Sequence, residues 1–140
     1  MAERGATGMG ELEGLLEGLR SLSGEIRTAA VLSGNGDVRA STVPPGVDRE
    51  RYGAMLAALA GLARRTVREA GGDGFAQARI GAEEEGYVLL VGLSGGGTLA
   101  ATTDPDARVG LVLYDMRNAR SELERVMGSG EGTAGEGGSE

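Results

Sequence analysis

The sequence reads as one α/β (α+β) domain, a three-layer sandwich in the order α-β-β-α-β-β-β-α with a five-stranded antiparallel sheet between helices. Leucines at helical spacing open the chain, and a long alanine-rich helical stretch occupies its middle. The short strand-like segments are joined by glycine-rich turns too brief for parallel crossovers, so neighbouring strands run antiparallel. With the long middle helix on one face of the sheet and the two terminal helices on the other, every apolar stripe is covered.

Leu12, Leu15, Leu16, Leu19 and Leu22 fall on one side of a first helix over Gly10 to Leu22, and Ser23-Gly24 ends it. Residues 28–33 and 38–43 flank Gly34-Asn35-Gly36-Asp37, a concentrated turn signal, and form a hairpin. A dinucleotide loop would need a helix directly after those glycines, whereas a second strand and Pro44-Pro45 follow. The middle helix runs from Asp48 to Ala70, with Tyr52, Met55, Leu56, Leu59, Leu62, Ala63 and Val67 as its apolar stripe. Three strands follow over Phe75 to Gly81, Tyr87 to Leu93 and Thr98 to Thr103. In the first of them, Phe75, Gln77 and Arg79 share a face opposite Ala76, Ala78 and Ile80. Val88 to Val91 is apolar on both faces and reads as the central strand. Asp104-Pro105 supplies a cap and a proline start for the last helix, which runs to about Met127.

Composition removes whole classes of chemistry. The chain has no cysteine and no histidine, and all 14 of its basic residues are arginine, so thiol catalysis, disulfides, histidine bases and lysine Schiff bases are excluded. The net charge of −7 opposes phosphate-directed nucleic-acid binding. There is no secretory h-region and no apolar run long enough to span a bilayer, so a cytoplasmic protein without membrane insertion is expected. Glycine is abundant, at 27 residues, partly because residues 128–140 alternate glycine with small and acidic residues. That segment reads as a disordered tail, residues 1–9 as a flexible N-terminus, and 10–127 as the folded domain.

Gly92-Leu93-Ser94-Gly95-Gly96 matches the G-x-S-x-G pattern of a nucleophile elbow. An elbow needs a strand-to-helix turn and a nearby base. Here a strand follows, and the chain has neither histidine nor lysine, so Ser94 marks a hairpin and no catalytic residue is assigned. Glu83-Glu84-Glu85 lacks the preorganised oxygen cage of a cation site and reads as a solvated loop; no metal or cofactor is expected. Gly53, Ala57, Ala60 and Gly61 form a small-residue face on the middle helix, whose glycine cost needs a close-packed partner, either another helix or the sheet. Arg64, Arg65 and Arg68 either balance the helix dipole or form a basic patch for an acidic partner.

The stretches "AAVLSGNGDVRAST" and "GYVLLVGLSGGGTLAATTDPDARVGLVLYDM", with the alanine-rich helix between them, resemble the Roadblock family (dynein light chain Roadblock-type) of small dimeric adaptor domains. The resemblance covers about Leu12 to Met127 and implies a sandwich related to longin and profilin folds. It implies pairing with an identical or related Roadblock chain through the strand carrying Phe75, Gln77 and Arg79 and the helix face carrying Gly53, Ala57, Ala60 and Gly61. It also implies a non-enzymatic role: binding a Ras-like small GTPase and modulating its nucleotide cycle or localisation, with Arg64, Arg65 and Arg68 as candidate contacts. The competing readings are a small-molecule sensory domain, for which one Phe, three Tyr and no Trp supply few aromatic walls, and a scaffold serving a sensor kinase. Open-ended self-assembly through an edge strand is opposed by the acidic charge.

Overall fold

The glycine-rich breaks at Gly34–Asp37 and Ser94–Gly97 become turns between strands, and the segments around them become helices and strands. The computed structural model describes residues 2–72, 75–82 and 84–128. It contains α1 (Ala2–Leu22), β1 (Ile26–Leu32), β2 (Val38–Ser41), α2 (Val47–Glu69), β3 (Gln77–Ala82), β4 (Gly86–Gly92), β5 (Thr98–Thr103) and α3 (Val109–Asn118). A final helix, α4, spans 120–128 after a one-residue break at Ala119. The tail expected from residue 128 lies outside the described residues from 129 onward. α1 begins at Ala2, earlier than the Gly10 start that the leucine spacing indicates.

The five strands lie in the order β2-β1-β5-β4-β3, and all neighbours are antiparallel. The central strand is β5, not the aliphatic β4. Apolarity on both faces of β4 reflects helices over both faces of the sheet, which covers a second-from-edge strand equally well. Leu89 and Val91 join the core under α1, α3 and α4, while Leu90 joins the core under α2 and Val88 packs against it. At the sheet centre Ala30 and Leu90 both pair with Ala100, and Ala29 and Leu89 both pair with Ala101.

On the first face, Leu12, Leu16 and Leu19 of α1 meet Val112, Leu113 and Met116 of α3 and Leu123 of α4 in a dense core. On the second face α2 is held by several local devices. Gly53 is buried, and a Cβ there would overlap Val38 Cγ2, so glycine lets the helix approach β2. The Tyr52 hydroxyl bonds the Thr28 hydroxyl at 2.7 Å, which bonds Thr102 at 2.6 Å, satisfying polar groups between helix and sheet. Burial of Tyr52 pushes its phenol pKa upward. Arg49 reaches Glu13 of α1 at 3.7 Å.

The last helical stretch begins at Val109 rather than at Asp104. Asp104 does not serve as the expected cap, because Arg27 Nε donates to its carboxylate at 2.5 Å. α3 has no side-chain cap; the backbone N–H of its N-cap residue, Arg108, donates to Glu25 at 2.8 Å.

The β4–β5 connection is gripped from both layers. Ser94–Gly96 forms a single 3₁₀ turn, with φ of 77° at Gly95 and 85° at Gly96, a region glycine enters freely. From the α2 side, Arg64 Nη1 donates to Gly96 O at 2.9 Å and contacts Thr98 Oγ1 at 3.5 Å. From the other side, Glu124 Oε2 accepts from the Ser94 N–H at 2.9 Å. That N–H, with Arg120 beside it, lowers the Glu124 carboxyl pKa.

Gly53→Ala is therefore expected to destabilise the protein in urea unfolding, because the added methyl meets Val38. Gly61→Ala, where an added Cβ has nothing within 4 Å, should stabilise it by about 0.5–1 kcal/mol. Because the folded-state pKa of Glu124 is depressed, its contribution is complete above the ordinary carboxylate value of about 4.3 and fades as pH falls through the folded value. The urea midpoints of wild type and Glu124→Gln should thus differ at pH 7 and converge in acid.

Candidate protein-interaction surface

α2 carries more apolar residues than its inner side can use. Leu56 and Ala60 are buried against the sheet, while Ala54, Met55, Ala58 and Leu62 follow one another along the outer side. Met55 is 60% exposed and Leu62 54%. Sequence periodicity places both in the buried stripe, but they sit together at one margin of its arc. The detectable signal was the width of that arc, since a helix resting on a sheet buries only part of its circumference.

Beside this outer face lies β3, one of the two edge strands of the sheet, paired on one side only, with β4. Ile80 on β3 is 44% exposed. A groove of about 290 Å³ runs between helix and strand, lined by Leu59, Leu62, Phe75, Ala78 and Ile80 among others. An open strand edge offers unpaired backbone donors and acceptors, and the flanking groove offers apolar area; together they suit pairing with another chain.

The residues expected to form a pairing surface are dispersed. Gly53 and Ala60 face the protein's own sheet, so of the two partners that the small face allowed, the sheet takes these positions. Ala57 is half-buried, and a Cβ on Gly36 of the β1–β2 turn would stand 3.4 Å from its own Cβ. Gly61 alone of the four has open space beside it. Phe75 does not share a face with Gln77 and Arg79. A bend at Ala76 turns it into the α2 core. Gln77 Oε1 instead accepts from Arg117 Nη1 at 2.5 Å, and the Arg79 guanidinium lies 5.7 Å from the Tyr87 ring centre.

Arg64, Arg65 and Arg68 do not form one patch either. Arg64 is half-buried and committed to the β4–β5 turn, while Arg65 and Arg68 are exposed. Ser94 stands in that turn between two strands, without the strand-to-helix geometry of a nucleophile elbow. Glu84 and Glu85 are exposed in the β3–β4 turn, and Glu83 lies outside the described residues. Among the described residues, no cluster of three or more acidic groups is placed to hold a metal, and no helix is long and apolar enough to cross a membrane.

Known proteins share this architecture. The Roadblock/LC7 domain model matches residues 12–103. An uncharacterized protein of Methanocaldococcus jannaschii is 35% identical over 101 residues, which make up 72% of this chain and 84% of that protein. A Roadblock/LC7 domain from Streptomyces avermitilis superposes with a TM-score of 0.75 at 19% identity, covering 84% of this chain and 98% of its own. MglB, solved in a tetrameric arrangement, superposes with a TM-score of 0.72 at 18% identity over 85% of this chain and 89% of its own. At those identities the two structures attest the fold, while the family model and the archaeal relative attest descent. The chain belongs to the Roadblock/LC7 domain family.

Proposed function

We propose that this protein is a non-enzymatic dimeric adaptor that binds a Ras-like small GTPase and modulates its nucleotide cycle or localisation. The observation that carries the pairing is the apolar outer face of α2 standing flush with the open edge of β3. Two copies joined at β3 would continue one sheet into the other and set their α2 helices side by side, covering Met55, Leu62 and Ile80. A stable pair needs on the order of 1,200–2,000 Å² of buried surface. Membership of the family and the tetrameric arrangement of MglB support self-association.

The partner surface is assigned to the paired helices. Arg65 and Arg68 are exposed on the C-terminal part of α2, in contrast to Arg64, which is bound to the β4–β5 turn. Such a platform need not insert an arginine into the GTPase; holding the enzyme's own groups in place is sufficient to change turnover.

Met55→Glu or Leu62→Glu should halve the particle mass in sedimentation while leaving the circular dichroism spectrum intact. A mass unchanged from wild type would exclude α2 from the seam. In titrations against a cognate GTPase, Arg65→Ala combined with Arg68→Ala should weaken binding about tenfold, equivalent to roughly 1.4 kcal/mol. Arg64→Ala should instead lower folding stability by about 1 kcal/mol through the loss of its bond to Gly96. Failure to bind either nucleotide state, with no change in turnover, would defeat the GTPase reading.

A further inference from the structure

The side of β3 turned away from α2 carries a different chemistry. Arg79 pairs across the ladder with Leu89 and Gln77 with Val91, and both partners belong to the core under α1, α3 and α4, so Gln77 and Arg79 stand on that side. The helices of that layer leave them uncovered: Gln77, Arg79 and Gly81 are exposed at the sheet edge.

Two arginines are held there by neutral groups. Tyr87 pairs with Gly81, where an added Cβ would lie 3.0 Å from the Tyr87 ring, so the missing side chain lets the ring lie across the edge strand. The Arg79 guanidinium sits 5.7 Å from the centre of that ring. From α3, Arg117 Nη1 donates to Gln77 Oε1 at 2.5 Å. Tyr114, one turn earlier on the same helix, is 56% exposed. Elsewhere arginine charge is matched by acid: Arg20, Arg27, Arg49, Arg108, Arg120 and Arg125 each pair with a carboxylate. Among the described residues, the partners of Arg79 and Arg117 are a phenol ring and an amide. Neutral partners fix a guanidinium while leaving its charge uncompensated, so an anion arriving there meets donors already in place. The net charge of −7 makes such a place unusual in this chain.

We infer that Gln77, Arg79, Tyr87, Tyr114 and Arg117 form a docking surface for an extended acidic segment of a partner protein, which sets carboxylates on alternate residues against Arg79 and Arg117. Gln77 and Arg79 are two residues apart on one strand, about 7 Å, and Arg117 is anchored on Gln77. Alternate side chains of an extended segment point to one side and repeat over the same length. The two tyrosines add aromatic area with a polar tip, which suits the flank of such a segment. The protein's own acids do not serve. β3 continues from Arg79 to Ala82, about 10 Å, before the turn that carries Glu84 and Glu85. Asp115 lines the other flank of α3, towards α1. Glu131, Glu136 and Glu140 are spaced five and four residues apart, which a contact at alternate residues cannot use. The surface involves neither α2 nor the open edge of β3, so it stands apart from the seam and the GTPase contact proposed above.

Fluorescence anisotropy of the full chain with a labelled peptide of alternating glutamate and threonine tests this, with a peptide of equal composition but its glutamates in one block as control. The alternating peptide is expected to bind more tightly than the blocked one. Arg79→Ala combined with Arg117→Ala should weaken it about tenfold, with the circular dichroism spectrum and the sedimentation mass unchanged. As a second variant, Gln77→Ala, which releases Arg117 from its anchor, should narrow the preference for the alternating peptide. Arg65→Ala combined with Arg68→Ala should leave the affinity as it is. Failure of both peptides to bind at low salt would overturn the inference. An equal loss from the Arg65 and Arg68 changes would do the same, because it would reduce the effect to general attraction of anions. A marked gain in affinity when Glu131, Glu136 and Glu140 are all changed to Gln would also overturn it, by making the chain's own segment the occupant.

Discussion

One helix cannot cover a face of a five-stranded sheet. Strands about 4.8 Å apart put roughly 19 Å between the two edges, whereas a helix with its side chains is about 10–12 Å across. The consequence is visible in the core. Among the described residues, the buried cluster under α1, α3 and α4 holds nineteen apolar residues and the one under α2 five. On the thin side Phe75, Ala78 and Val88 are only partly covered, and the adjoining Ile80 and Leu62 are exposed. The surface available for pairing therefore follows from sheet width. A molecule built this way reaches full burial only when something else completes the second layer.

That mismatch explains much of what could and could not be read from the sequence. The order of elements was legible because turn chemistry and apolar periodicity are local, and the segment Gly34 to Asp37 announces its hairpin without reference to the rest of the chain. The identity of the central strand was not. Apolarity on both faces shows only that both faces are covered, and it took the pairing of β1 with β5 to move Val88 to Val91 off centre. Asp104 shows the same limit: as a sequence signal it is a helix cap, but a distant arginine claims its carboxylate and α3 starts later, at Val109, with no side-chain cap.

The interaction residues were harder still, because exposure depends on which side of a helix meets the sheet. Small residues at Gly53 and Ala60 indicate close approach of something, and spacing alone does not say whether that is a foreign helix or the sheet. Likewise Arg64 and Arg65 are neighbours in sequence but about 100° apart around the helix. One reaches the backbone of the β4–β5 turn and the other reaches solvent. Of the small residues read as a pairing face, Gly53 and Ala60 pack on the protein's own sheet, and the exposed residues of α2 are their larger neighbours.

Two edge strands on opposite sides of one sheet raise the question of where assembly stops. A contact between unlike patches closes into a ring only if its rotation returns to the first chain and otherwise propagates, whereas contacts that are each two-fold can close, and two such axes that intersect at right angles generate a finite set of four chains. Axes that fail to intersect would instead generate a filament. Charge bears on which of these can persist: each chain carries −7, and that charge accumulates with every chain added to a growing fibre, while a closed set bounds it. The acidic surplus that tells against nucleic acid as a ligand therefore also favours a small closed assembly. It leaves Arg65 and Arg68 as exposed cationic positions on α2 in a chain of net negative charge.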